Sequence, residues 1–403
     1  MRTFIAFEEA RALVLAAVPE QPVARVPAPE AYGRTLAEPL RSREDVPPFD
    51  NSAMDGYAVR TADLRDLPAT LRVIEDLPAG AFPKRTVGPG TCARIMTGAP
   101  FPPGADAVAP VEWTERGDGD AVLFRRAPQP GQHVRRAGED VRAGEEVVPA
   151  GWVVTPPVVG MMASLGVAGA AVRVPPRVAV IATGDELVPP GETPGPGQIR
   201  NSNGPALAAQ TRSAGGEPLP PFLARDTRAS IRAVIEEALA ADVLLFSGGV
   251  SVGDYDFVKE VLDEMGMELL FWKVRQRPGK PLAFGMLHGK PVFGLPGNPV
   301  SSAMCFEQYV RPALAKMLVR AEVIRPRHRA VLAAPMRKVS GLHYFARGIA
   351  TTDETGRLTV RPSGGQGSHV YSTVVRANCI FHLPPEMENP EPGTLVEMEW
   401  LAW

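Results

Sequence analysis

The sequence has little of the features that mark several classes of protein. It contains only three cysteines, Cys92, Cys305 and Cys379, which are far apart, so neither a disulfide framework nor a zinc site built on paired cysteines is expected. A formal net charge of −2 provides no basic surface for nucleic acid or for acidic membranes. No glycine-rich loop ends in Gly-Lys-Ser or Gly-Lys-Thr, which argues against a P-loop nucleotide site. These deficits favour a cytoplasmic protein with reduced thiols that binds neither nucleic acid nor a membrane.

One uncharged segment, residues 150–172, is formally long enough to span a bilayer. However, Thr155 followed by Pro156 is a typical start of a helix, and Gly166 and Gly169 end that helix after roughly ten residues. A membrane-spanning helix needs about 20 residues. The segment therefore predicts a short buried helix that leads into a strand.

The pattern of apolar residues changes along the chain. After an N-terminal helix, residues 46–137 contain short strand-like runs separated by proline and glycine, which predicts a β-rich module. From 173 to 322, strand-like runs alternate with helical apolar spacing, which is typical of βαβ units and a mainly parallel sheet covered on both faces. Residues 323–403 again have the pattern of short strands and predict a small β domain. The expected fold class is therefore multidomain, α/β plus β.

Three polar loops follow predicted strands of the α/β region. In an open α/β sheet, ligands bind beyond the carboxyl ends of the strands. Adjacent glycines let phosphate oxygens approach the backbone, and an Asn-Pro pair begins a helix whose free N–H groups favour anions. Each loop alone is compatible with a plain turn between a strand and a helix, but three together indicate a site. The loops are Thr183-Gly184-Asp185-Glu186, Ser247-Gly248-Gly249-Val250-Ser251 and Pro296-Gly297-Asn298-Pro299.

Charged side chains near these loops supply what a phosphate site also needs. Glu186, Asp226 and Asp256 are placed at or just after strand ends, where one or two carboxylates can hold Mg²⁺ against phosphate oxygens. Arg277 and Lys280 flank a rigid Pro-Gly turn and are suited to an oxyanion. The alternative for each of these groups is an ordinary solvated surface charge.

A loop near the N terminus combines turn residues with apolar anchors. In residues 47–58, Phe49, Met54 and Tyr57 are interleaved with polar residues that favour turns. The loop is therefore expected to be held at the surface while it presents Asp55, as binding and catalytic loops do. From these residues alone, an ordinary ordered turn remains the alternative.

The octapeptide Asn-Ser-Ala-Met-Asp-Gly-Tyr-Ala at residues 51–58 is very similar to a signature of the MoeA family. That family comprises molybdopterin molybdenumtransferases and is related to the E domain of gephyrin. Six further segments resemble motifs of the family and occur in its order, so the resemblance spans nearly the whole chain. They are Arg94–Pro100, Arg136–Asp140, Thr183–Leu187, Ser247–Asp254, Pro278–Pro281 and Leu295–Ser301.

The resemblance implies a domain arrangement that composition alone does not show. Residues 1–45 together with 138–172 would form an elongated N-terminal unit, into which a β-rich module of residues 46–137 is inserted. Residues 173–322 would form a three-layer α/β molybdopterin-binding domain, followed by the small β domain at 323–403. The resemblance also implies a homodimer, in which the N-terminal modules of one subunit close the cleft of the other.

Proteins of this family insert molybdenum from molybdate into adenylylated molybdopterin, release AMP and need Mg²⁺ or a similar divalent ion. Matching the motifs residue by residue implies two groups of site residues, with Asp226 and Asp256 expected at the metal. The catalytic candidates are Asp55, Thr97, Asp140, Glu186, Asp226 and Asp256. The substrate-binding candidates are Thr183, Gly184, Ser247, Gly248, Gly249, Ser251, Arg277, Lys280, Pro296, Asn298, Pro299, Ser301 and Ser372.

The chain departs from the family pattern at one place. Members often have Gly-Arg before an aromatic pair in the last domain, whereas this chain has Gly341-Leu342. An oxyanion contact from that arginine would be missing, with Arg347 and His343 as candidate replacements.

The sequence leaves two other functions open. The α/β region also resembles molybdopterin adenylyltransferases, although those proteins lack the loop of residues 51–58. A carrier or scaffold would bind molybdopterin without turnover. The choice between molybdate and tungstate is open as well, because the two ions have nearly the same size and charge.

Overall fold

The largest element of the fold is a mixed sheet of eight strands. The computed structural model describes residues 1–249 and 257–401. In spatial order the strands of this sheet are Glu217–Pro218 with Phe222–Ala224, Arg177–Thr183, Val243–Ser247, Lys290–Leu295, Ala283–Leu287, Glu268–Val274 and Arg2–Ile5.

The sheet is parallel in its centre and antiparallel towards one side. Its three central strands run parallel, as expected for βαβ units. Ala283–Leu287 instead pairs antiparallel with Lys290–Leu295, because only His288 and Gly289 join the two strands. Both linking residues have positive φ angles, 50° and 76°, which is typical of the two-residue turn of a β-hairpin.

Helices cover both faces of the sheet. Successive side chains of the strand Arg177–Thr183 point to opposite faces of the sheet. Val178 and Val180 lie in one core, and Ala179 and Ile181 lie in the other. The first core also holds side chains of the helices Phe7–Ala17, Asn203–Ser213, Pro299–Cys305 and Arg311–Met317, the last two joined by a π-helical turn at Phe306–Val310. The second core holds side chains of the helices Arg228–Ala238 and Phe257–Glu264.

The beginning of the segment 1–45, which the sequence analysis assigns to the N-terminal unit, packs with the α/β domain. Residues 2–5 form an edge strand parallel to Glu268–Val274 of the α/β sheet. The helix that follows buries Phe7 and Val14 in the core of the same domain. The apolar spacing of this helix predicts one buried face, but it carries no information about which distant strands that face will meet.

The N-terminal unit consists of the part of residues 1–45 that follows the first helix, together with residues 138–172. Residue 155 occupies the N-cap position of the predicted short helix, Pro156–Ser164, although its threonine side chain makes no capping hydrogen bond. No helix in the described ranges 1–249 and 257–401 is long and apolar enough to cross a membrane. A 3₁₀ turn lies at Ala28–Ala31, and the strands pair antiparallel, Val23–Pro27 with Gly169–Arg173 and Leu40–Arg41 with Glu146–Val148.

Residues 46–137 form a separate β module. The chain enters and leaves it at adjacent points, because Val46 bridges Val141 and the strand Asn51–Ser52 pairs with Val134–Arg135. The main sheet of the module has six strands, in the order Ala107–Pro110, Gly56–Val59, Thr91–Ile95, Ala69–Leu77, Ala121–Phe124 and Thr114–Arg116. Short 3₁₀ turns lie at Thr61–Leu64 and Val111–Trp113.

The C-terminal β domain is a closed barrel. Closure pairs every barrel strand on both sides, so that no free edge is left. The strand Gln276–Arg277 of the α/β domain pairs parallel with the start of a barrel strand, so the two domains share backbone hydrogen bonds. Around the ring the strands are His343–Thr352, Leu358–Pro362, His328–Leu332, Leu395–Trp400 and Cys379–Leu383, with a short helix at Ser372–Arg376.

A buried polar network also joins the barrel to the α/β domain. Glu399 Oε1 lies 3.0 Å from His382 Nε2, and Glu399 Oε2 accepts a hydrogen bond from Gln308 Nε2 at 3.2 Å. Burial raises the pKa of Glu399, but these two partners outweigh it and bring the pKa to about 2. Glu307 Oε2 lies 3.0 Å from Arg325 in the same interface. Because removing one partner of a buried charged pair leaves the other uncompensated, these contacts hold the two domains in one arrangement.

Phe7→Ala is expected to destabilise the protein. The Phe7 ring is 1% exposed and packs edge-on against Tyr309 and Phe345, with centroids 5.8 and 4.9 Å away. Truncation of a buried phenylalanine typically costs about 3–5 kcal/mol, so the urea midpoint measured by circular dichroism should fall. Phe82→Ala, at a side chain 73% exposed, is the matched control and should not shift the midpoint. Equal midpoints for the two variants would show that the first helix contributes little to the core.

Candidate functional site

Three strand ends converge at one edge of the α/β sheet. Parallel pairing aligns Ala182 with Ser247 and Ser247 with Leu295, so the loops that follow these strands lie side by side. The backbone N–H of Gly248 donates to the carbonyl oxygen of Leu295 at 3.1 Å and ties two of the loops together. Together the loops line a cleft of about 640 Å³.

Most of the residues predicted for the α/β site line this cleft. Pro296 is buried at the start of the third loop and is not part of the lining. Ser251 and Asp256 lie outside the described residues. The predicted residues that do line the cleft are Thr183, Gly184, Glu186, Asp226, Ser247, Gly248, Gly249, Asn298 and Pro299.

The backbone of the second loop requires its two glycines. Gly248 and Gly249 have φ angles of 94° and 67°, in the left-handed region that favours glycine. A Cβ on Gly249 would lie 2.4 Å from Val258 Cγ2 and 2.8 Å from Thr183 Oγ1. Thr183 Oγ1 is itself buried and has no hydrogen-bond partner in residues 1–249 and 257–401. The turn therefore lies close against the strand end, beside a polar atom with unused bonding capacity.

Asn203 connects two of the loops and was not predicted. Its side-chain amide donates to Ser247 Oγ and to the carbonyl oxygen of Gly297, both at 2.8 Å. Residues 200–202, which precede it, also line the cleft. The run of asparagine and serine before a helix is typical of helix capping, and this is the signal that could have identified the segment.

Glu186 and Asp226 are the two carboxylates that line the cleft among the described residues. Asp226 Oδ2 accepts a hydrogen bond from Asp185 N, and Asp185 Oδ1 accepts one from Asp226 N, both at 3.3 Å. No group of three or more His, Cys, Asp or Glu side chains that could hold a metal alone occurs in residues 1–249 and 257–401. Two carboxylates beside a phosphate-sized space are the donor set that Mg²⁺ uses when it also binds substrate oxygens and water.

A smaller pocket of about 240 Å³, the oxyanion pocket, adjoins the cleft. Asn298 lines both, so the two spaces lie side by side. The predicted residues Arg277, Lys280 and Ser301 line the oxyanion pocket. Lys280 Nζ lies 5.0 Å from the centroid of the Phe4 ring, and neither basic side chain forms an ion pair within the described part of the chain. The pocket therefore presents two cations that no carboxylate of residues 1–249 and 257–401 pairs with.

Neither His343 nor Arg347 is placed to supply the contact expected from an arginine at position 342. Leu342 lines the oxyanion pocket with an apolar side chain. His343 is buried 5.0 Å from the Phe7 ring, and burial lowers its pKa to about 3, so it carries no charge at neutral pH. The Arg347 guanidinium donates to the carbonyl oxygens of residues 365–367, which engages its hydrogen-bond donors. The expectation that either side chain replaces the arginine is therefore wrong.

The predicted residues of the N-terminal modules, and Ser372 of the C-terminal domain, lie apart from this cleft. Asp55 Oδ1 accepts hydrogen bonds from Thr97 N at 2.7 Å and from Thr97 Oγ1 at 2.8 Å, and these bonds hold the pKa of Asp55 below its ordinary value. Asp140 is exposed where the chain leaves the inserted module, with its N–H donating to the Val46 carbonyl at 3.0 Å. Ser372 is exposed at the first turn of its short helix, outside the lining of the cleft and the oxyanion pocket.

Three family models match consecutive parts of the chain. The MoeA N-terminal region (domain I and II) matches residues 5–166, a probable molybdopterin binding domain matches 179–316, and the MoeA C-terminal region (domain IV) matches 329–401. The chain is 40% identical over 385 residues to molybdopterin molybdenumtransferase 2 of Mycobacterium tuberculosis, with 93% of this chain and 94% of that relative covered. This chain belongs to the MoeA family.

Other MoeA relatives agree in sequence and in fold. The molybdopterin molybdenumtransferase of Haemophilus influenzae is 39% identical over 372 residues, which cover 92% of each chain. The crystal structure of the molybdopterin biosynthesis moeA protein from Pyrococcus horikoshii OT3 matches with a TM-score of 0.84 at 31% identity. That match covers 99% of this chain and 100% of the other, so this chain has the multidomain MoeA architecture.

Gly249→Ala is expected to lower the thermal midpoint of unfolding. An alanine at a φ of 67° costs about 1–2 kcal/mol before the clash of its methyl group with Val258 is counted. Gly297→Ala is the control, because its Cβ would meet only Gly248 Cα, at 3.8 Å, although it lines the same cleft. If calorimetry finds the two variants equally stable, the turn does not require glycine at position 249.

Thr97→Val is expected to raise the pKa of Asp55, because it removes the hydroxyl donor. The pKa should stay below the ordinary value, since the backbone N–H of residue 97 still donates. A ¹³C NMR titration of the Asp55 carboxyl resonance measures the change. Thr61→Val, which removes a hydroxyl bonded to Asp106, is the control and should leave the titration of Asp55 as it is. An identical titration in wild type and Thr97→Val would contradict this account.

Proposed function

We propose that this MoeA-family protein inserts molybdenum from molybdate into adenylylated molybdopterin and releases AMP in a Mg²⁺-dependent reaction. Relatives that cover more than nine-tenths of the chain carry the name molybdopterin molybdenumtransferase. The observation that carries the proposal is that two neighbouring spaces share Asn298 in their linings. One is a glycine-lined cleft with two carboxylates, and the other is a pocket with two cations that form no ion pair in the described part of the chain. The reaction has to bring together a phosphate-rich pterin and a tetrahedral oxyanion, and these two spaces suit them.

The cleft is suited to the pyrophosphate group. The Gly248-Gly249 turn lets phosphate oxygens approach the backbone, and the helix that begins at Pro299 directs its positive end to the same space. Glu186 and Asp226 would hold Mg²⁺, which when bound would stabilise charge on the bridging and leaving oxygens. Glu186 and Asp226 otherwise repel phosphate, so they favour a substrate that arrives with its metal.

The oxyanion pocket is suited to molybdate. Arg277 offers a planar set of N–H donors, Lys280 a compact positive charge and Ser301 a hydroxyl. Leu342 adds no donor, so this pocket binds the anion through fewer side chains than the family pattern implies. Charge-assisted hydrogen bonds of this kind are strong enough to orient a small dianion without a metal.

We infer that the inserted module completes the cleft of a partner subunit in a homodimer. Asp55, Thr97 and Asp140 match motifs of the family, yet they lie outside the lining of the cleft in their own chain. A second copy is the simplest source of these groups at the reaction site. The cysteines are buried and free of disulfides, which fits the reducing cytoplasm in which we expect the reaction.

Asp226→Asn is expected to lower the rate of AMP release from adenylylated molybdopterin by about 100-fold or more, because it removes a charged metal ligand. Purified protein is mixed with this substrate and Mg²⁺, and AMP is followed with and without molybdate. The wild-type protein should release AMP faster with molybdate and yield metal-loaded pterin, and EDTA should abolish the release. Glu237→Gln, on an exposed face of an outer helix, is the control and should retain the wild-type rate.

Two outcomes would replace the proposal. ATP-dependent transfer of AMP to molybdopterin would make the protein an adenylyltransferase. Tight binding of the pterin without AMP release would make it a carrier. Full activity of Asp226→Asn, Asp55→Asn and Asp256→Asn would leave the reaction in place but remove these residues from it.

A further inference from the structure

A third cavity lies where the barrel meets the Arg277 turn of the α/β domain. It has a volume of about 600 Å³, and we call it the seam pocket. Four basic side chains and one carboxylate line it, together with the ring of Tyr344. These charged residues are Arg277, Arg337, Lys338, Arg347 and Glu388. Such an excess of positive charge around one cavity calls for a physical explanation.

Lys338 is a buried cation that forms no direct ion pair among the described residues, although the negative charges of Glu386 and Glu388 partly offset the lowering of its pKa by burial. The residue is 3% exposed, and its ammonium group donates to the carbonyl oxygens of Met387 at 2.6 Å, Pro385 at 3.3 Å and Val339 at 3.4 Å. It forms no ion pair with any residue of the described chain. Carbonyl dipoles replace the water that the ammonium loses, but they do not neutralise its charge.

Arg347 is a second buried cation at the same cavity. It is 1% exposed, and its guanidinium donates to Thr373 Oγ1 at 3.2 Å and to the carbonyl oxygens of residues 365–367 at 3.1 to 3.3 Å. Within residues 1–249 and 257–401 it too has no carboxylate partner. Burying an unpaired charge is costly, and two such charges around one space raise the cost. An anion in the seam pocket would offset it.

Two further cations around the cavity have donors to spare. The first is Arg277, which lies over the Tyr344 ring, 5.5 Å from its centroid, on the same ring as Lys338 at 5.2 Å. Arg337 is exposed, lines the pocket and forms no ion pair in the described part of the chain. Glu388 is the one carboxylate of the lining, and Glu386 also acts on Lys338, so two negative charges face four positive ones.

We propose that the seam pocket is a binding site for a tetrahedral oxyanion, separate from the cleft and from the oxyanion pocket. The same chemistry is offered by free molybdate and by the phosphate group of a small ester such as a nucleotide. A volume of about 600 Å³ accepts either the hydrated ion or the ester. Arg277 and Gln366 line both the seam pocket and the oxyanion pocket, so an anion held here lies next to the proposed reaction site. Binding at this site needs no turnover.

The test is calorimetric titration at low salt with sodium molybdate, sodium phosphate and AMP in turn. Lys280→Ala serves as the parent protein, because it weakens the neighbouring oxyanion pocket while leaving the seam pocket intact. In this background Arg337→Ala should weaken binding about tenfold, the usual effect of losing one charge-assisted hydrogen bond, and Arg337→Lys should restore part of it. Glu388→Gln should strengthen binding severalfold, because it removes the repelling charge of the lining.

The opposite signs expected for Arg337→Ala and Glu388→Gln separate binding from loss of structure, since unfolding would weaken binding in both. Arg329→Ala, at another exposed arginine of the barrel, is the matched control and should bind like its parent. Binding of molybdate and phosphate without AMP would identify a site for the free ion, and displacement of either by AMP would identify a site for an ester. Absence of saturable binding in the Lys280→Ala background, or equal affinities for Arg337→Ala and Arg329→Ala, would overturn the proposal. Neither result depends on whether AMP release is observed.

Discussion

Parallel pairing of three strands is the constraint on which the site depends. The residues that line the cleft are separated by long stretches of chain, and no local interaction brings Thr183, Ser247 and Asn298 together. Their meeting follows from the register of the strands, which ends all three at the same edge of the sheet. Because the strands are buried on both faces, a shift of one residue would turn each apolar set to the wrong core. Packing of the sheet therefore sets the geometry of the site.

The basic turn beside the cleft is positioned by buried contacts rather than by its own sequence. Gln276 is 1% exposed, accepts a hydrogen bond from the Tyr309 hydroxyl, and donates to the carbonyl oxygen of Gly279 at 3.1 Å. The same residue pairs in the backbone with His343, at the start of the barrel strand His343–Thr352. The orientation of Arg277 is thus coupled to the barrel and to the helix that carries Tyr309. A change at the interface between the two domains would reach the oxyanion pocket without touching its lining.

The sequence predicted the features that depend on local pattern. The loops at the carboxyl ends of the strands, the short helix after Thr155 and the β-rich parts were all expected from turn residues and apolar spacing. The position of the first helix was not predicted, because an apolar helix face does not specify which residues it will pack against. Phe7 contacts residues that are more than two-thirds of the chain away. Asn203 was missed for a related reason, since its role depends on loops that only the folded sheet brings near it. The neutral state of His343 likewise depends on burial that a sequence does not show.

The charges of the three cavities imply that the anions of the reaction bind by different means. Glu186 and Asp226 give the cleft a negative lining, so a phosphate group gains there only when a cation neutralises these carboxylates. The oxyanion pocket and the seam pocket are positive without any metal, since Lys280, Lys338 and Arg347 form no direct ion pair in the described chain. In the proposed reaction, a free oxyanion would therefore use different charges from those that bind the metal and the pterin, and its binding would not compete with theirs. Leu342, which lines the oxyanion pocket, adds no hydrogen-bond donor there, so in the proposed reaction the anion would be held by the cations and the hydroxyl of that pocket alone.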